Sequence, residues 1–144
     1  MSRWETTSRL EADLDPARVW REAYADAAAW PRWNEEIRRA GLDGPLGLGA
    51  TARIVFRSGL RLRFTVVEHE QGRLFTDESR LPGARMGHRH LIEAADGGGC
   101  WLTNTIYIEG RLAPLWRRVL GPAAARSLPG AQRAIVTLVD EAGS

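Results

Sequence analysis

The chain contains no lysine, so all twenty of its Lys-plus-Arg residues are arginine. A guanidinium stays charged at any accessible pH and grips carboxylates and phosphates through paired hydrogen bonds. Such a surface raises the question of nucleic acid. Against it, the arginines are interspersed with eighteen acids, the formal net charge is only +2, and no stretch forms a basic block. The plain reading is a solvated surface with an arginine bias and no nucleic-acid partner. Cysteine is almost absent as well: Cys100 alone excludes an internal disulfide and any multi-cysteine metal site. Long apolar runs are also missing. Nothing in MSRWETTSRL has the apolar length of a signal peptide, and no later run approaches the roughly 20 apolar residues of a membrane span. The expected compartment is the cytoplasm, without integral membrane association.

What is present suits one domain over 1–144. A hydrophobic fraction of 44% with 26% charged residues is ordinary for a soluble globular chain, and the length allows a single core. Residues 4 to 13 alternate loosely enough for a strand at a sheet edge. LDPARVWREAYADA then carries a helix start, with Asp15 as N-cap and Pro16 at the first helical position. Val19, Trp20, Ala23 and Tyr24 fall at helical spacing and predict its buried face. Pro31 cannot continue that helix, so a second short helix or turn starts near Trp30. Residues 41 to 50, GLDGPLGLGA, read as loop.

From residue 50 the period becomes two. ATARIVFRSGLRLRFTVVE reads as a hairpin, with Ile54 and Phe56 on one face of its first strand and Leu60, Leu62, Phe64 and Val66 on one face of its second; Arg53, Arg57, Arg61 and Arg63 take the alternate places. GRLFTDESRL is a further strand. MGHRHLIEAADGGGCWLTNTIYIEG is a second hairpin turning at Asp96–Gly99, which puts Cys100 near a loop tip. Leu102, Ile106 and Ile108 share a face, and Asn104 has their parity, so it is a polar group that needs a partner there, His88 or His90 across the hairpin or a ligand carbonyl. The last thirty or so residues revert to a helix kinked by Gly121–Pro122 and Pro129–Gly130. The order is strand, two helices, five or six antiparallel strands and one long kinked helix, an α+β arrangement. A twisted sheet covered mainly by one helix leaves a hollow between them, the usual form of a small-molecule site.

PARVWREAYADAAAWPRWNEEI, GPLGLGATARI, FTVVEHEQGRLF, HRHLIEAADGGGCWLTNTIYIEGRLAPLWRRVLG and SLPGAQRAIV, taken in order, resemble the SRPBCC superfamily of START-like helix-grip proteins, in its polyketide cyclase/dehydrase and lipid transport branch. The resemblance covers almost the whole chain. It implies a curved antiparallel sheet of about seven strands wrapped around a long C-terminal helix, two short helices after strand 1, and an internal hydrophobic cavity. Fold alone does not choose among the carriers, sensors and cyclases of that superfamily.

The expected function is binding of a small hydrophobic molecule, aromatic, polyketide-like or lipid-like, by a carrier or sensor that is a monomer or homodimer and needs no cofactor. The alternative is an aromatase/cyclase-type enzyme in which a cavity histidine or tyrosine (His88, His90, Tyr24 or Tyr107) moves protons. Trp30 and Trp33 either plug the end of the core or wall the hollow. Ile54, Phe56, Leu62, Phe64 and Val66 would line it from the first hairpin, and Ile92, Leu102 and Ile106 from the second. His88, His90 and Asn104 would orient the ligand, and the two histidines are the catalytic candidates. Residues two apart on a strand face one side, yet a polar pair on the solvated face or at a strand end ranks ahead of a cavity-facing role for His88 and His90. A metal ranks last: no spacing recommends Asp77, Glu78 or His69 as a third donor. Asp77 and Glu78 face opposite sides and form no carboxylate pair. Arg117, Arg118, Arg126 and Arg133 near Trp116 read as a solvated helix face, with an interaction surface as the weaker alternative.

Overall fold

The structure, a computed structural model, describes residues 2–142. Strand β1 (Ser2–Ala12) is followed by helix α1 (Pro16–Val19), which runs straight into a π-helical turn (Trp20–Tyr24), then a 3-10 turn (Ala27–Ala29) and helix α2 (Trp30–Trp33). Six strands follow: β2 (Ile37–Leu42), β3 (Thr51–Phe56), β4 (Arg61–Glu70), β5 (Leu74–Leu81), β6 (Ala84–Ala94) and β7 (Cys100–Gly110). Helix α3 (Ala113–Ala142) ends the chain. The seven strands form one antiparallel sheet in the order β1-β7-β6-β5-β4-β3-β2, so β1 is an edge strand as its loose alternation predicts. The inward face of the sheet packs its core against Ile135, Leu138 and Val139 of α3, which is the helix-grip arrangement.

Local chemistry accounts for the elements. The Asp15 side chain accepts from the Ala17 amide at 3.1 Å, and Asp26 caps the 3-10 turn through the Ala28 amide at 3.0 Å. Val19, Trp20, Ala23 and Tyr24 are all buried. The two lid tryptophans satisfy carbonyls that the end of the π-helical turn leaves without helical donors: Trp33 Nε1 donates to Ala23 O at 2.8 Å and Trp30 Nε1 to Tyr24 O at 3.0 Å. The chain therefore uses both rings to pin α2 onto the preceding turn.

Three expectations from sequence are corrected here. The loop expected over residues 41 to 50 begins later, because strand β2 runs through Leu42; a register shift between Ile37 and Arg39 breaks its period of two, so the alternation is invisible in the sequence. Cys100 is not at a loop tip but fully buried. The turn before it closes tightly on the start of the first connection: Gly99 has φ +79 and a Cβ there would lie 2.5 Å from Ala12 O, which draws Cys100 inward opposite Ala12 and Ala94. His88 and His90 do not lie on the solvated face or at a strand end. They sit mid-strand and inward, with His90 only 2% exposed. Helix α3 passes through both Pro122 and Pro129 as one element.

Candidate functional site

Strand pairing brings the expected residues onto one inward face. Ile54 opposes Leu62 and Ala52 opposes Phe64; Val66 opposes Asp77. Asp77 opposes His88 and Phe75 opposes His90. Across the next ladder His88 meets Ile106, His90 meets Asn104, and Ile92 meets Leu102.

This face divides into two halves. Toward the β6–β7 turn it is closed: Phe75, Ile92, Cys100 and Leu102 are at most 2% exposed beneath Val19, Tyr24, Ile135 and Val139. Toward the β5–β6 turn, the more open half, it is less completely covered, although Ser79 and Ile108 there are buried. Thr6, Phe56, Leu62, Met86, His88 and Ile106 all point inward, yet each keeps partial exposure. Ile54, Phe64, Val66, His90 and Asn104 lie at or near the boundary and are buried.

A column of rings crosses from the lid into the sheet. Trp30 stacks on Phe75 (centroids 5.9 Å, 13°), Phe75 on His90 (4.2 Å, 16°), and His90 on His88 (3.8 Å, 25°). Trp33 and Tyr24 brace His90 from the side at 5.9 and 5.2 Å. Trp33 also lines a depression of about 200 Å³ between α2 and α3, with Ser127, Gly130 and Ala131 opposite.

A polar relay fixes His90 from the helix side. Gln132 Nε2 shares its two hydrogens among Asn104 Oδ1 at 2.9 Å and the Ser8 and Leu102 carbonyls at 2.8 and 3.0 Å. Its Oε1 accepts from Ser8 Oγ at 2.8 Å. Asn104 must therefore present Nδ2 to His90 Nδ1, 3.1 Å away, so His90 is the neutral tautomer with its proton on Nε2. Burial holds its pKa well below the ordinary histidine value, with a smaller push from His88. No such relay reaches His88, whose Nε2 is buried without a partner and whose pKa burial lowers to about 4. The Tyr24 hydroxyl is also buried, beside the Asn104 side chain, and burial raises its pKa. Beside His88, burial pushes the Asp77 carboxyl up to about 7, relieved only by its own backbone amide. The open half thus carries a neutral imidazole next to a carboxyl poised to exchange its proton near neutrality.

The outer face is different. Tyr107 lies there, its ring covering Gly87, where a Cβ would come within 2.1 Å of the ring. Its hydroxyl donates to Glu78. An open depression of about 530 Å³ beside it is lined by Arg3, Glu5, Glu68 and Arg89. These charges satisfy one another, Arg3 with Glu5 at 3.1 Å and Arg89 with Glu68 at 3.1 Å.

The model of the family described as polyketide cyclase / dehydrase and lipid transport matches residues 3–141. The chain belongs to that family. No curated protein matches the sequence. Among solved structures, a norcoclaurine synthase point mutant from Thalictrum flavum is similar at TM-score 0.73 and 13% identity, over 99% of this chain and 98% of that one. The di-domain ARO/CYC StfQ from the steffimycin biosynthetic pathway is similar at TM-score 0.76 and 14% identity, over 99% of this chain and 52% of that one. A START superfamily protein from Mycobacterium smegmatis is similar at TM-score 0.70 and 14% identity, over 95% and 97%. At such identities the likeness establishes a shared fold.

Within this family fold, Asp77 and Gln132 are buried polar residues of the interior that were not among the site candidates read from sequence. Asp77 shares parity with Phe75 and Ser79, so the argument that singles out Asn104 on β7 finds Asp77 on β5 equally well. Gln132 interrupts the buried stripe of Leu128, Ile135 and Val139. No group of three or more His, Cys, Asp or Glu able to hold a metal occurs among the described residues. Stacked as they are, the rings of His88 and His90 pack on each other instead of converging on a point between them. Among the described residues no helix is long and apolar enough to cross a membrane.

Proposed function

We propose that the protein binds a small hydrophobic molecule in the open half of the space between sheet and α3, as a carrier or sensor. The observation that carries this reading is the partial exposure of Phe56, Leu62, Met86 and Ile106 on the inward face, around a His88 Nε2 that has no partner. Apolar walls with one unsatisfied polar atom suit a flat or chain-like ligand bearing a single hydrogen-bonding group. The occupant would cover the walls and pair with His88. The reading includes a cytoplasmic setting, no cofactor, no nucleic-acid partner, and a monomer or homodimer.

A second reading, an aromatase/cyclase-type enzyme, is favoured by one observation: Asp77, with its carboxyl near 7, is the cross-strand neighbour of His88. A group titrating near the working pH is the kind that transfers protons efficiently.

One experiment addresses both readings. Thermal shift against polycyclic aromatics, fatty acids, quinones and β-keto thioesters is expected to give stabilisation by one chemical class, roughly 2.7 kcal/mol at ~100 times the dissociation constant. Ile106→Trp, which fills the space, should abolish the shift while the variant stays folded. Absence of any shift across the library would overturn the binding reading. Product analysis of the stabilising compounds then separates carrier from enzyme, because only an enzyme consumes its ligand and loses turnover in Asp77→Asn.

A further inference from the structure

Helix α3 carries a second apolar stripe that the grip does not use. Ala113, Gly121 and Leu128 face the core. Leu115 and Val119, one turn apart, lie on the opposite side of the helix at 56% and 62% exposure. Leu112, just before the helix, adds to this surface at 43%. Trp116 is held beside it by a 2.8 Å hydrogen bond from its indole to Pro82 O in the β5–β6 turn. Farther along, Arg126 and Arg133 continue the same outward line, and Arg111 and Arg118 lie near its start, while Arg117 falls on the side of Ala113 and Gly121. All five arginines are exposed. Between residues 110 and 139 the sequence has no aspartate or glutamate, and none of the five forms an ion pair among the described residues. Arg3 and Arg85 on the sheet, by contrast, are each paired with Glu109.

We infer that this outward face of α3 docks on an anionic lipid surface. An outward helix face with leucine and valine at its centre, flanked by unpaired guanidiniums and an interfacial tryptophan, matches a bilayer on both counts: aliphatic side chains enter the headgroup boundary while arginines meet lipid phosphates and carboxylates. A second copy fits poorly, because a symmetric contact would set arginine against arginine with no acid between. An acidic protein would satisfy the charges, but a protruding stripe on a helix offers it no groove to fill. The placement also has a use. Leu112 donates its amide to Gly83 O at 2.9 Å, so the stripe begins at the β5–β6 turn, the end toward which the inward face is less completely covered. A hydrophobic ligand would pass between lipid and protein there without crossing bulk water. The docking itself stands on the helix face alone; only this use of it rests on the proposed function.

The test is co-sedimentation of the full chain with phosphatidylcholine vesicles and with vesicles that also contain phosphatidylserine. Binding is expected to the second kind only and to fall with added salt. Arg118→Glu/Arg126→Glu should weaken it by more than the roughly five-fold per charge that neutralisation alone gives. Leu115→Ser/Val119→Ser, two changes at exposed positions, should weaken it without altering the melting temperature. Equal binding to both vesicle types, no binding, or indifference to the leucine and valine changes would overturn the proposal. Tighter association with soluble polyglutamate, lost in the same variants, would make the face an acidic-protein site and overturn it too. Ile106→Trp is expected to bind vesicles as the unaltered protein does, so failure of the ligand reading and failure of the docking are distinguishable.

Discussion

The two halves of the inward sheet face are built from the same alternating strands and do opposite things. The closed half is capped by the lid tryptophans, the π-helical turn and the C-terminal half of α3, and its side chains reach exposures of 0–2%. The open half has equally apolar residues on the same strands, but they are less fully covered, and Phe56, Leu62, Met86 and Ile106 remain half-buried. Alternation assigns a side chain to a face; what arrives from elsewhere in the chain decides whether that side chain stabilises the fold or remains available to something else. Trp30 and Trp33 illustrate the first outcome. They are 2% and 4% exposed, hydrogen-bonded to the preceding turn and stacked into the column, so their main work is structural.

The largest effect that would break this comparison is on stability. Phe75→Ala is expected to cost about 3–5 kcal/mol, and Met86→Ala about 1 kcal/mol or less, because the first opens a cavity in packed surroundings and the second trims a wall that already borders space. Urea denaturation of both variants measures the difference; equal losses would erase the distinction between the halves.

Next in size is the relay. Gln132→Met keeps the volume but leaves the Ser8 and Leu102 carbonyls and Asn104 Oδ1 without their donor, at an expected cost of about 2–3 kcal/mol. It should also free the His90 ring, visible as a shift of its imidazole resonances. A loss under about 0.5 kcal/mol would mean that water replaces the amide and the closed half is wetter than its packing implies.

The smallest effect at any single step of pH sharpens the boundary between the halves. His88 binds fewer protons folded than unfolded between about 4 and 6.5, so its contribution is complete above 6.5 and is lost as pH falls toward 4; His90 has the same sign. Asp77 binds more protons folded than unfolded between 3.8 and about 7, so its contribution is complete below that window and is lost as pH rises through it. The three leave a net rise in stability from about pH 4 to 6.5 and a slight decline just above. Asp77→Asn removes the opposing slope, and its stability should climb more steeply with pH across the lower window, by about 1.4 kcal/mol per unit beyond the unaltered protein. Parallel urea midpoints in the two proteins would show that Asp77 is not held near neutrality.

Much of this was legible before the structure. Clean period-two patterns gave both hairpins, the Asp15–Pro16 pair gave the start of α1, and the parity of Asn104 showed that it needs a partner, His88, His90 or a ligand carbonyl, of which the structure supplies His90. Strand β2 escaped because a bulge after Ile37 destroys the only signal a short strand carries. Asp77 was passed over because it was weighed against its neighbour Glu78 and not against Phe75, two residues back on the same face. The division into open and closed halves had no local signature. It depends on where α2 and the two ends of α3 land, which are contacts between residues about a hundred positions apart, such as Gln132 with Ser8.

Helix α3 spans both halves, and its prolines fall between its two ends. Pro122 and Pro129 cannot supply the amide hydrogens that would tie back to the carbonyls of Arg118 and Ala125. The C-terminal part is anchored by Gln132, Ile135 and Val139, and the first turns by the β5–β6 turn through Trp116. The span between them is therefore the most compliant part of the rod, and bending there costs less than anywhere else along it. The helix is stiff where it holds the core and yielding where it roofs the open half, a mechanical gradient written by two residues.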